Sequence, residues 1–136
     1  AGEMSGHMFF AADYFGFDDA IFAAARLLSY VGRKAKPLSA LLADLPEMFS
    51  TPEIRVECSE EEKFEVVQRA AEHFSQHYDV LTLDGARISF AEGWGLVRSS
   101  NTQPVLVMRF EASSKEKLEE YRGELEQWLR EQGISI

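Results

Sequence analysis

The sequence predicts an α+β fold: a four- to five-stranded, mainly antiparallel sheet with two helices on one face, preceded by a helical segment. Three observations carry this. Ser59-Glu60-Glu61-Glu62 and Ser113-Ser114-Lys115-Glu116 are capping boxes, and each opens a run with apolar residues at helical spacing. Between them lie short aliphatic segments of strand length, separated by turn residues. The resulting order, β-α-β-β-β-β-α, favours an antiparallel sheet whose helices are gathered on one face.

In chain order, residues 2–7 form a turn-prone polar run, and Met8-Phe9-Phe10 reads as a short buried strand. Asp18 can cap a helix that buries Ile21, Ala24, Ala25 and Leu28. Asp18 and Asp19 are cap and dipole partners before they are metal ligands. Pro37 can open a short helix with Leu38, Leu41, Leu42 and Leu45 on one face, ended by Pro46. Residues 46–52 hold two prolines and lack periodicity, so they read as a domain boundary. Residues 1–45 are too few to own a core, and they are expected to complete a domain whose larger half lies elsewhere.

Residues 53–136 are expected to stand alone. Ile54, Val56 and Cys58 alternate as a half-buried strand, with Cys58 a core thiol. The first long helix should turn Phe64, Val67, Ala71, Phe74 and Tyr78 inward, leaving His73 and His77 on a solvated face. Residues 80–83 and 86–90 read as strands about an Asp84-Gly85 hairpin turn. A strand ending at Val97 and another from Val105 to Glu111 follow. The last helix should bury Leu118, Tyr121, Leu125, Trp128 and Leu129, and stop at Gly133.

Composition limits the partners. A formal net charge of −9 without a lysine-rich run argues against nucleic acid and anionic membranes. No apolar run approaches the roughly 20 residues of a membrane span. The single cysteine excludes an intrachain disulfide framework and fits a reducing cytoplasm. Any attraction for an anion must therefore be local.

One stretch can supply it. Arg98-Ser99-Ser100-Asn101-Thr102-Gln103-Pro104 sits between two strand-like runs and gathers a guanidinium, hydroxyls, an amide and backbone N–H groups. A phosphate dianion wants that donor set. On composition alone, a polar hairpin loop with an exposed arginine fits equally well.

The balance shifts with Gly2-Glu3-Met4-Ser5-Gly6-His7. Together, these two motifs resemble the α-D-phosphohexomutases, in their phosphomannomutase/phosphoglucomutase branch. The resemblance runs from Ala1 to about residue 130 and includes Gly16-Phe17-Asp18-Asp19-Ala20 and Gly93-Trp94-Gly95-Leu96-Val97-Arg98. Met4 and Asn101 distinguish this branch from the phosphoglucosamine one, and Gln103 departs from the commoner Glu. The resemblance implies that residues 1–45 are the C-terminal part of an α/β sugar-binding third domain and 53–136 a phosphate-binding fourth domain. Residues 46–52 would be a hinge between them.

The implied reaction interconverts hexose 6-phosphate and hexose 1-phosphate through a phosphoserine and a hexose 1,6-bisphosphate. Arg98, Ser100, Asn101 and Thr102 would hold the substrate phosphate, and Glu3 and Ser5 the sugar hydroxyls. His7 would be an acid or base, although a structural hydrogen-bond partner fits its apolar neighbours as well. Magnesium and the bisphosphate are implied for the whole enzyme, with no metal held by this part. The partners implied are a phosphosugar and the upstream domains of the same chain, in a cytoplasmic monomer. No Ser-His-Asn-Pro or Asp-Gly-Asp-Gly-Asp loop occurs here, so this part is expected to be inactive alone. A module of another class, one that kept the fold and binds anions without catalysis, is the other reading.

Overall fold

The computed structural model describes residues 1–3 and 5–136 and divides into two compact units, Ala1–Leu45 and Pro46–Ile136. The branch-distinguishing Met4 lies outside the described residues.

In the first unit the polar run folds back on itself. Glu3 N–H donates to the His7 carbonyl at 2.9 Å and Gly6 N–H to the Glu3 carbonyl at 3.0 Å. The expected strand at residues 8–10 is reduced to two isolated bridges, Gly2 with Met8 and Phe9 with Asp18. Helix α1 (Ala20–Lys34) is capped by Asp19, whose Oδ1 accepts from Phe22 N–H at 2.9 Å. The cap is thus one residue later than expected, because Asp18 is engaged elsewhere. The apolar face of α1 is present in sequence but not buried: Ile21 and Leu28 are 84% and 72% exposed. Beyond α1, Pro37 starts a single 3₁₀ turn, Leu38–Ala40, and Leu38, Leu42 and Leu45 stay exposed. A unit of this size does not bury its own hydrophobic stripe.

The second unit is the predicted α+β domain. It contains β1 (Phe49–Ser50), β2 (Ile54–Glu57), α2 (Lys63–Phe74), β3 (Asp79–Leu81), β4 (Ala86–Phe90), β5 (Gly93–Ser99), β6 (Val105–Ala112) and α3 (Lys115–Glu131). All pairings are antiparallel, in the order β1-β6-β5-β4-β3, with β2 also pairing β6. The strand β1 arises inside the stretch read as linker. Thr51 follows it into the sheet: its N–H donates to the Phe110 carbonyl, and its buried hydroxyl accepts from Phe110 N–H at 3.1 Å. That hydroxyl stands in for the missing ladder acceptor.

The core lies between the sheet and the two helices. Ala86, Ile88 and Phe90 of β4 alternate inward, as do Val97 of β5 and Leu106, Met108 and Phe110 of β6. They meet Val66, Ala70 and Phe74 of α2 and Leu118, Tyr121, Leu125 and Leu129 of α3. The last helix follows its reading closely. Ser114 Oγ accepts from Lys117 N–H at 3.1 Å, so the cap is the second serine of the pair. At the other end Ile134 N–H reaches Leu129 O and Gly133 N–H reaches Arg130 O, both at 3.0 Å. With Gly133 at φ 87°, this is a Schellman closure.

The inner face of α2 is rotated from its expected position. Ser59 Oγ accepts from Glu62 N–H at 3.3 Å, but the Glu62 carboxylate takes the Ser59 hydroxyl at 3.0 Å and not its backbone N–H. Only half of the expected capping box therefore forms, in the turn before α2. The buried stripe, however, is Lys63, Val66, Ala70 and Phe74, and Phe64 is 54% exposed. The Asp84-Gly85 turn also differs. Leu81 pairs with Arg87, which leaves a longer loop there. The two-residue connection is Ala91-Glu92, since Phe90 pairs with Gly93.

Candidate functional site

The donor loop lies where the sequence places it, at the end of the β5–β6 ladder. Arg98 and Ser99 are the last residues of β5, pairing with Val107 and Leu106. Ser100 closes the ladder by donating its N–H to Val105 O at 3.0 Å. Inward-facing Val97 is fully buried, so the next residue, Arg98, emerges from the opposite face with its side chain 33% exposed. The guanidinium has one carboxylate nearby, Asp84 Oδ2 at 3.9 Å, too long for a hydrogen bond.

The turn concentrates donors. Ser100 Oγ accepts from Thr102 N–H at 3.3 Å and from Gln103 N–H at 3.2 Å, and lies 3.5 Å from Thr102 Oγ1. All of these bonds are long, and Asn101, Thr102 and Gln103 are exposed. Two successive amides therefore converge on one oxygen, a geometry suited to an anionic oxygen arriving from solvent. Arg55, next to this turn, donates to the Gln103 side chain. A separate hollow of about 560 Å³ beside Pro104 is walled by Glu57, Glu62 and Cys58, and none of its lining residues is cationic. Its charge is wrong for phosphate. Burial pushes the Cys58 thiol up, away from the thiolate a reactive cysteine needs.

A contact that sequence reasoning missed holds the turn from beneath. Lys63, with 1% of its surface exposed, donates from Nζ to Ser100 O at 2.6 Å and Gln103 O at 3.1 Å. Its third partner is Glu60 Oε2 at 2.7 Å. A lysine directly after a run of glutamates reads as a solvated helix start, and nothing in the pattern signals its burial.

In the first unit, Ser5 Oγ donates to Glu3 Oε2 at 3.0 Å, which joins the two expected sugar contacts on one exposed turn. His7 Nδ1 pairs directly with the Asp18 carboxylate. This second missed contact explains why Asp18 does not cap α1. The hydrogen bond to Asp18, reinforced by its charge, raises the His7 pKa above the ordinary value. Asp19 takes the cap and also accepts from the Tyr14 hydroxyl at 2.5 Å. That hydrogen bond, with the one from Phe22 N–H, holds its carboxyl below the usual range. Among the described residues, no cluster of three or more His, Cys, Asp or Glu side chains could hold a metal ion.

Asp18→Asn should bring the His7 pKa down towards about 6.5, read from the imidazole proton shifts against pH. Because the folded pKa is the raised one, the His7–Asp18 pair stabilises the turn fully below the unfolded value. That contribution is lost as pH rises through the folded value. An unchanged titration in the Asn variant would remove Asp18 as the cause.

The second unit is an antiparallel sheet with a donor-rich turn at the end of its β5–β6 ladder, and the first unit carries a histidine–carboxylate pair on an exposed turn. Residues 53–127 match the family model described as the phosphoglucomutase/phosphomannomutase C-terminal domain. Residues 1–49 match that of the family's alpha/beta/alpha domain III. The chain belongs to the phosphoglucomutase/phosphomannomutase family. It is 46% identical over 121 residues to the phosphomannomutase/phosphoglucomutase of Pseudomonas aeruginosa, covering 88% of this chain and 26% of that protein. It is 43% identical to the phosphoglucomutase of Neisseria gonorrhoeae, with the same two shares, 88% and 26%. A crystal structure of a family protein from Burkholderia thailandensis superposes with a TM-score of 0.79 at 42% identity, covering 95% of this chain and 27% of that one. The chain thus spans about a quarter of the length of the relatives it matches. No described helix is long and apolar enough to cross a membrane.

Proposed function

We propose that this chain is the substrate-gripping part of a phosphohexomutase that interconverts hexose 6-phosphate and hexose 1-phosphate, with mannose or glucose as the sugar. The observation that carries the reading is the convergence of the Thr102 and Gln103 amides on one oxygen, in the turn that follows Arg98. In this reading Arg98, Ser100, Asn101 and Thr102 hold the phosphate that is not reacting. An incoming phosphate oxygen takes over the two amides, and Ser100 Oγ turns from acceptor to donor. A guanidinium supplies two parallel N–H bonds with a fixed charge, and hydrogen bonds to charged groups contribute about 1.5–3 kcal/mol each.

Glu3 and Ser5 take the sugar hydroxyls. A carboxylate accepts from either of two adjacent hydroxyls, which suits a sugar that must be held in both orientations. That requirement follows from the proposed course of the reaction. A phosphoserine elsewhere in the whole protein donates its phosphoryl group, and the resulting hexose 1,6-bisphosphate turns end over end. His7, oriented through Nδ1 by Asp18, presents Nε2 as the proton donor or acceptor at a sugar oxygen. Magnesium, when bound to the whole protein, would supply charge compensation at the transferring phosphoryl group. This chain's described carboxylates are not grouped to hold it.

The whole protein is proposed as a cytoplasmic monomer in which further domains of the same chain complete the site. Since β1 already anchors Phe49, the proposed hinge shortens to residues 46–48. Amide relaxation should show these residues more mobile than β6, and stiffer with ligand; equal rigidity in both states would dispose of the hinge. Binding is tested by adding mannose 1-phosphate to the chain and following amide shifts, which should centre on residues 98–104 and weaken with salt. Shifts confined to other surfaces would overturn the reading.

A further inference from the structure

Lys63 occupies a position that packing alone would fill with an apolar residue. It continues the stripe of Val66, Ala70 and Phe74 on the buried face of α2, yet it ends in an ammonium. Burying that charge is expensive, and a well-packed hydrophobic residue generally serves stability as well or better. What the lysine adds is directional. Its three N–H donors find three acceptors: Ser100 O, Gln103 O and Glu60 Oε2. The two carbonyls bracket Asn101 and Thr102, the tip of the donor turn.

We propose that Lys63 is the positioning residue of the phosphate turn, clamping the Ser100 and Gln103 carbonyls inward so that the tip presents its donors outward. This rests on the reading of residues 98–104 as the phosphate grip. In a trans peptide the C=O and N–H point in opposite directions. With Ser100 O drawn onto the buried ammonium, the N–H of Asn101 is aimed away from the core, towards the side from which an anion arrives. Hydrogen bonds in series also polarise one another, so a carbonyl that accepts from an ammonium makes its own peptide N–H a stronger donor. Lys63 thereby acts on the ligand through the peptide group, without touching it. Glu60, exposed at the helix start, balances the charge and fixes the third donor.

The test uses the 136-residue chain, with inorganic phosphate as the probe and Lys63→Met as the variant, which keeps an unbranched side chain as far as Cε and removes the ammonium with its donors. The expected result is a folded protein with core amide shifts close to wild type, moved Asn101–Gln103 amides, and phosphate affinity reduced about tenfold or more. Arg98 remains, so the residual binding still maps to the same turn. In the wild-type chain, the Lys63 ¹⁵Nζ resonance should itself shift as phosphate saturates the turn, a signature a purely structural lysine would not give. This second measurement decides the matter if Lys63→Met does not fold. An Nζ signal unmoved at saturation, or wild-type affinity in Lys63→Met, overturns the clamp while leaving the phosphate grip standing. No wild-type response at residues 98–104 overturns the grip itself, and the clamp with it.

Discussion

Arg98→Ala abolishes saturable binding of mannose 1-phosphate at concentrations that saturate the wild-type chain. Two charge-assisted hydrogen bonds at about 1.5 kcal/mol each amount to roughly two orders of magnitude in affinity. The loss should be cleanly attributable, because Arg98 has little structural work to do. Among the described residues its carboxylate neighbour is Asp84, 3.9 Å away, and its side chain is one-third exposed on the face away from the core. Thermal stability should therefore stay within about 1 kcal/mol of wild type. Arg98→Lys should restore only part of the affinity, since an ammonium keeps the charge and loses the planar fork. Ser100→Ala should cost less than Arg98→Ala, because the freed Thr102 and Gln103 amides remain available to the phosphate. Amide shifts and calorimetry against phosphosugar concentration check each of these. Retention of near-wild-type affinity in Arg98→Ala would remove the arginine from the grip.

How far residues alone predicted this arrangement depended on whether local signals competed. In α3 they agree: cap, apolar stripe and terminal glycine all point one way, and Leu118, Tyr121, Leu125, Trp128 and Leu129 are buried as expected. In α2 they conflict. A lysine at the first buried position hides the true face, and Phe64 offers a false one. At Asp18-Asp19 two adjacent carboxylates can each cap the helix, and only the fold of the preceding loop, which brings His7 to Asp18, decides between them. For α1 the periodicity is right and the burial is not, since a stripe tells which face seeks a partner and not whether one is present. The donor turn was legible because its chemistry lies in seven consecutive residues. Lys63 was not, because its distance of 37 residues from Ser100 is bridged only by tertiary packing.

Gly85→Val should be the most damaging change at the site among residues that touch no ligand. Gly85 has φ 92°, in the region glycine favours, and it follows the exposed loop into β4. A Cβ there would lie 2.5 Å from Val97 O, 2.5 Å from Arg98 Cβ and 2.9 Å from Arg98 Cα. These are mostly backbone and backbone-proximal atoms that cannot swing aside, so the start of β4 or the end of β5 must move. The left-handed backbone costs about 1–3 kcal/mol for a β-branched residue. Overpacking adds about 1–3 kcal/mol more. For a domain of this size the sum corresponds to a melting temperature lower by roughly 10–30 °C. The second consequence is specific to function: because the collision is with Arg98 itself, phosphate binding should weaken in the fraction that stays folded, with shifted Arg98 and Ser99 amides. Gly123→Val provides the comparison, since that glycine lies in α3 with nothing within 4 Å of an added Cβ. It should leave both stability and the phosphate response nearly unchanged, and an equal loss in the two variants would mean that the close approach of Gly85 to Arg98 is not what sets the guanidinium in place.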